Sequence, residues 1–88
     1  MIMNRDILNR REFYETADLS IAAVITLYYP IEGIDRQNPQ RALFIFKRDE
    51  NLDNLIEAYW KDELKVSPQA YFNQLRTIKA RLYNRDEN

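Results

Sequence analysis

The 88-residue sequence predicts one small domain of the α+β class. Three observations point there. Leu52, Leu55, Ile56, Tyr59 and Trp60 fall at i, i+3, i+4, i+7 and i+8, an apolar stripe of helical width. Ser67-Pro68 opens a second helical pattern, because serine is a good N-cap and proline suits the first helical position. Between Ile31 and Lys47 the period changes, and Ala42-Leu43-Phe44-Ile45-Phe46 reads as a strand.

In chain order the first element spans Leu19 to Tyr29, and two patterns compete for it. Alternation places Leu19, Ile21, Ala23, Ile25, Leu27 and Tyr29 on one face, as in a strand. As a helix the segment is apolar nearly all round, which suits a centrally buried one. Thr16 and Asp18 ahead of it are plausible caps, Ala22-Ala23 favours helix, and Pro30 would end it. Helix is the favoured reading. Next, Asn38-Pro39 starts a turn, so Ile31 to Arg36 folds back on Ala42 to Phe46 as a two-stranded ribbon. Gly33 weakens that partner strand or marks a bulge.

The helix at about 51–61 has Asp49, Glu50 and Asp53 at its start, where exposed N–H groups and the helix dipole favour negative charge. The last helix, at about 68–84, turns Tyr71, Leu75, Ile78 and Leu82 inward. Arg81 and Arg85 lie near its C-terminal end, where cations are favoured. Only Asp62 to Val66 connects the two, so they are expected as antiparallel neighbours. The domain is drawn at 11–85, between an N-terminal tail at 1–10 and a C-terminal tail at 86–88.

Composition excludes several classes of function. The chain has no Cys and no His, hence no disulfide, thiolate nucleophile, imidazole base or zinc finger. Its single Gly removes the glycine-rich phosphate loops. Apolar residues make up 45%, enough for one core. A net charge of -1 favours neither nucleic acid nor membrane for the chain as a whole. Met1 to Glu12 lack the apolar run of a signal peptide, and Arg10-Arg11 precedes acids, unlike a twin-arginine signal. The apolar stretch at 19–29 is too short for a bilayer, which takes about 20 residues. The expected compartment is the cytoplasm.

Several segments together resemble a known family. They are Arg11-Glu12-Phe13-Tyr14-Glu15-Thr16-Ala17-Asp18, Asp35-Arg36-Gln37-Asn38-Pro39-Gln40-Arg41, Phe44-Ile45-Phe46, Tyr59-Trp60 and Leu64-Lys65-Val66-Ser67-Pro68. The family comprises small proteins of bacteria, archaea and phages and is known only as a domain of unknown function. The resemblance runs from about Arg10 to Asn84 and implies an α-β-β-α-α order, hence a buried first helix, a β-hairpin and an antiparallel helical pair. Tyr28-Tyr29-Pro30 depart from the expected smaller or more polar residues at the end of the first helix. No activity comes with the resemblance.

Catalytic and metal chemistry find little support. Asp49, Glu50 and Asp53 gather three carboxylates suited to magnesium, but capping the helix start explains them better. Glu63-Leu64-Lys65 matches the ExK half of a nuclease site, a three-residue match that arises easily by chance. No catalytic residue, metal ligand or cofactor is assigned.

Charge placement says more. From Asp49 to Glu63 there are six acids and one base; from Leu64 to Arg85 there are five bases and no acid. Attraction between two helices of opposite sign is a sufficient explanation. At 100° per residue, however, Phe72, Arg76, Lys79 and Tyr83 form a second stripe, within about 60° of each other. Aromatics interleaved with cations stack on bases while holding phosphates. Arg36 and Arg41 at the hairpin tip, with Lys47, Arg48, Asn38 and Gln40, add to that face. The competing and favoured expectation packs Phe72 and Tyr83 under the ribbon or the first helix, covered by the stems of Arg76 and Lys79. Trp60 is likewise expected to close the edge of the core rather than to anchor a partner.

The sequence thus points first to a non-catalytic binding module, an accessory factor of a phage or mobile element, with single-stranded nucleic acid as the leading ligand class. The alternative is a protein-interaction or self-association module acting through Trp60 or the open edge of the ribbon, a route to a homodimer. A metal-dependent enzyme ranks third, and no membrane partner is expected.

Overall fold

The computed structural model describes residues 12–38 and 40–83. The tails drawn at 1–10 and 86–88, together with Arg11, Pro39, Asn84 and Arg85, lie outside these residues. In chain order the elements are β1 (Phe13–Thr16), α1 (Leu19–Thr26), β2 (Gly33–Asp35), β3 (Leu43–Lys47), α2 (Glu50–Trp60) and α3 (Pro68–Tyr83). The class is α+β.

The expected two-stranded ribbon is a three-stranded antiparallel sheet, ordered β1-β3-β2. The additional strand is β1, whose Tyr14 and Thr16 stand opposite Phe46 and Phe44. On the other side of β3, Ile34 stands opposite Phe44 and Gly33 opposite Ile45. Strand alternation then divides the sheet into two faces. Phe44 and Phe46 are fully buried against the helices, with Tyr14 and Ile34 packed on the same core. Phe13, Leu43 and Ile45 occupy the other face. Because β3 is central, the ribbon has no open β3 edge; the outer strands are β1 and β2. Gly33 stands opposite Ile45, and the Glu32 N–H reaches the Ile45 carbonyl at 2.8 Å, so the ladder slips by one residue just ahead of Gly33. Gly33 has no positive φ, and a Cβ there would meet only the Ile45 side chain at 4.0 Å.

Residues 19–29 begin as a helix, as favoured. Asp18 caps it by accepting the Ser20 N–H at 2.8 Å, and Thr16 Oγ1 accepts the Asp18 N–H at 3.0 Å. Ile21 to Ile25 are five consecutive buried residues, so α1 is surrounded rather than laid on one face. The helix closes earlier than Pro30. The N–H groups of Leu27 and Tyr28 reach back three residues to Val24 and Ile25, tightening its last turn.

Surrounding α1 alters how the last helices meet. Both α2 and α3 pack on α1, α3 the more extensively, rather than across a broad face of their own. The expected helical pair therefore straddles α1. A helix apolar all round offers two faces, and each of the amphipathic helices takes one. Leu52 of α2 and Ile78 of α3 are fully buried in this shared core.

Candidate nucleic-acid interface

The start of α3 follows the sequence: Ser67 Oγ accepts the Ala70 N–H at 3.3 Å, and Pro68 is the first helical residue. Its inner stripe, Tyr71, Leu75, Ile78 and Leu82, packs on the core. That fixes the helix rotation and turns Phe72, Arg76, Lys79 and Tyr83 outward together. Phe72 is 58% exposed and Tyr83 76%, so neither packs under the ribbon or the first helix as expected. Phe44, Phe46 and the apolar run of α1 already occupy that core. Arg76 and Lys79 are exposed and have no carboxylate partner among the described residues. The ion pairs there are Arg48–Asp53 at 2.8 Å and Lys61–Glu57 at 3.0 Å, both on the acidic side of the molecule. The expected attraction between oppositely charged helices is not expressed as a salt bridge among these residues.

The hairpin tip divides into two roles. Arg36 donates through Nη2 to the Arg81 carbonyl at 2.7 Å and through Nη1 to the Leu82 carbonyl at 2.9 Å. These carbonyls belong to the last described turn of α3, toward the negative end of the helix dipole, where a cation is favoured. The Arg36 donors are directed to the fold rather than to a ligand. Arg41 is exposed and helps line a cavity of about 350 Å³ with Asn38, Gln40, Leu19 and Tyr83. Within that loop Asn38 Oδ1 accepts the Gln40 N–H at 2.9 Å, and the Asn38 carbonyl accepts the Arg41 N–H at 3.0 Å. The cavity therefore joins Arg36, Arg41 and Tyr83, while Phe72, Arg76 and Lys79 continue along α3.

Of the carboxylates expected at the start of α2, Asp49 is its cap, and Glu50 and Asp53 lie in its first turn. Asp49 Oδ1 accepts the Leu52 N–H at 2.7 Å and the Tyr29 hydroxyl at 2.9 Å, while Asp53 is paired with Arg48. Among the described residues, no three acids are gathered into a metal-holding cluster. Glu63-Leu64-Lys65 lies in the irregular connector rather than beside a strand. The Tyr29 phenol is raised above its ordinary value by lost hydration, then by its hydrogen bond and proximity to Asp49. Burial raises the Tyr14 phenol too, partly opposed by a hydrogen bond with Thr16.

Trp60 departs most from expectation. It is 64% exposed, its ring set edge-on to Tyr59 at 5.0 Å between centroids. Leu52, Leu55, Ile56 and Tyr59 seat α2 on the core, and one further residue rotates Trp60 by about 100°, out of it. Sequence reading missed what lies beside it. Trp60, Tyr59, Leu64, Val66 and Tyr71 line a second cavity, of about 450 Å³. Its signal was present as three aromatic residues flanking a five-residue connector and two aliphatic ones within it.

No helix among the described residues is long and apolar enough to cross a membrane. A family model described as a domain of unknown function, DUF5659, matches residues 11–84. No curated protein and no solved structure matches the chain.

Proposed function

The chain belongs to the DUF5659 family, and from its geometry we propose that it is a non-catalytic module binding single-stranded nucleic acid along α3. One observation carries this reading: Phe72, Arg76, Lys79 and Tyr83 share an exposed face, and its two cations lack a carboxylate partner among the described residues. From Phe72 to Tyr83 the face is about 16 Å long at the helical rise. Aromatic planes at both ends accept stacked bases, and the cations between them hold phosphates. At the Tyr83 end the face runs into the hairpin-tip cavity, where Asn38 and Gln40 supply amide donors and acceptors beside Arg41. An unstacked base has hydrogen-bonding edges that such groups can meet.

The test is fluorescence anisotropy with labelled single-stranded DNA and RNA at low salt. The wild-type chain binds, and the Arg76→Glu/Lys79→Glu variant, altered only at exposed positions, loses binding with its circular dichroism unchanged. Absence of wild-type binding to single strands, duplexes and folded RNA overturns the reading.

A further inference from the structure

The cavity beside Trp60 shares no lining residue with the α3 face, which it adjoins where the Tyr71 and Phe72 rings meet edge-on at 6.0 Å between centroids, and its one charged lining residue is an acid, Asp62. It exists because α2 and α3 lean on α1 rather than on each other, which leaves a groove between the end of α2 and the start of α3. Val24 of α1 forms its buried floor, Tyr59 and Trp60 contribute from α2 and Tyr71 from α3, and Leu64 and Val66 close it from the connector. At about 450 Å³ it falls in the range of apolar clefts that take a specific ligand.

The turn at the groove's edge has a defined backbone geometry. Asp62 has φ 59° and stands just past the end of α2. Its N–H bonds to the Tyr59 carbonyl at 3.0 Å, and the Glu63 N–H bonds to the Ala58 carbonyl at 2.9 Å. These two bonds form a Schellman closure, with an aspartate in the position usually held by glycine. The closure fixes the direction in which the connector leaves α2. An exposed Trp on a fixed frame is the kind of residue that dominates binding energy at an interface.

Charge identifies the occupant. Asp62 lines the groove and Glu63 follows it, while Glu57 engages Lys61 at 3.0 Å. At the groove itself two acids, Asp62 and Glu63, stand against one offsetting base, Lys65, with Lys61 held by Glu57. Such a rim favours a cationic ligand over a phosphate. We propose that this groove docks a short cationic peptide segment of a partner protein, an apolar anchor side chain seated among Tyr59, Trp60 and Tyr71 and flanking Lys or Arg residues facing Asp62 and Glu63. The inference does not depend on the nucleic-acid reading of α3.

Trp60 is the sole tryptophan, so its fluorescence reports on the groove directly. The probes are three amidated hexapeptides titrated into the full chain: Lys-Arg-Leu-Phe-Arg-Lys, its acidic counterpart Glu-Asp-Leu-Phe-Asp-Glu, and Lys-Arg-Ala-Ala-Arg-Lys without an anchor. The first is expected to give a saturable blue shift, with affinity at least about tenfold above the other two, because steering charge and buried anchor are both needed. The Asp62→Asn/Glu63→Gln variant, in which asparagine tolerates the same φ, is expected to weaken binding at least about threefold and flatten its salt dependence. No shift at millimolar peptide overturns the proposal, as does an equal response to the acidic peptide. A blue shift that grows with protein concentration alone overturns it in favour of a second copy in the groove, and one induced by an oligonucleotide overturns it in favour of nucleic acid. Should the double variant fail to fold, the three-peptide comparison on the wild-type chain still decides.

Discussion

The guanidinium of Arg36 grips the end of α3 through two carbonyls at once, those of Arg81 at 2.7 Å and Leu82 at 2.9 Å. The contact joins positions 45 and 46 residues apart and ties the hairpin tip to the far end of the last helix. It also decides which hairpin cation is available to a ligand, leaving that role to Arg41.

Arg36→Ala is therefore expected to cost about 1–2 kcal/mol in urea denaturation, the sum of charge-assisted hydrogen bonds and dipole pairing at an exposed site. Arg36→Lys keeps the charge but not the planar fork, and should recover less than half of that loss. A loss under about 0.3 kcal/mol for the alanine variant would show that the contact contributes nothing to stability.

Leu52 and Ile78 are the fully buried leucine and isoleucine through which α2 and α3 join the core. Truncating either to alanine should cost about 2–5 kcal/mol. Leu55→Ala and Leu75→Ala should cost less, because both side chains are only half-buried where the helices straddle α1. The reverse ranking in urea melts would mean that α2 and α3 pack directly on each other.

Asp62→Gly should stabilise the chain by about 0.5–1 kcal/mol, since glycine takes the left-handed conformation without steric conflict. Thermal denaturation of the two chains gives the answer, and a lower melting temperature for the variant would contradict the assigned backbone conformation.

Tyr14 and Tyr29 both hold their phenolic protons more tightly when folded. A raised folded-state pKa contributes stability that is complete below the unfolded value, about 10, and is lost as pH rises through the folded value. Stability should thus fall on the alkaline side. The Tyr14→Phe/Tyr29→Phe variant should lose less across the same interval. Superimposable pH profiles for the two proteins would contradict the shifts.

The parts of the fold that were legible are those written in long periodic patterns. Leu52 to Tyr59 and Tyr71 to Leu82 each repeat a helical spacing several times, and the fold realises both. Strand β1 was not legible because Phe13-Tyr14-Glu15-Thr16 is only four residues, and its pairing with Phe44 to Lys47 is set by distant residues. The site was legible in part. Spacing placed Phe72, Arg76, Lys79 and Tyr83 on one face, but whether that face was covered depended on the volume already filled by α1 and the two phenylalanines of β3. Trp60 was misplaced for a similar reason. Its i+8 position falls at the edge of the stripe, about 100° from Tyr59, and helical spacing alone does not tell whether an edge position is covered. The contact of Arg36 with α3 has no local signature at all.

The most direct measurement of the central claim is the salt dependence of single-strand binding, compared between the wild-type chain and Arg76→Ala/Lys79→Ala. For single strands log K falls with log salt by about 0.7 per phosphate neutralised. With Arg41, Arg76 and Lys79 in contact the wild-type slope should be near −2, and removing two of the three cations should make it shallower by about 1.4. An unchanged slope in the variant, with binding intact, would place the phosphates elsewhere and contradict the assignment of this face.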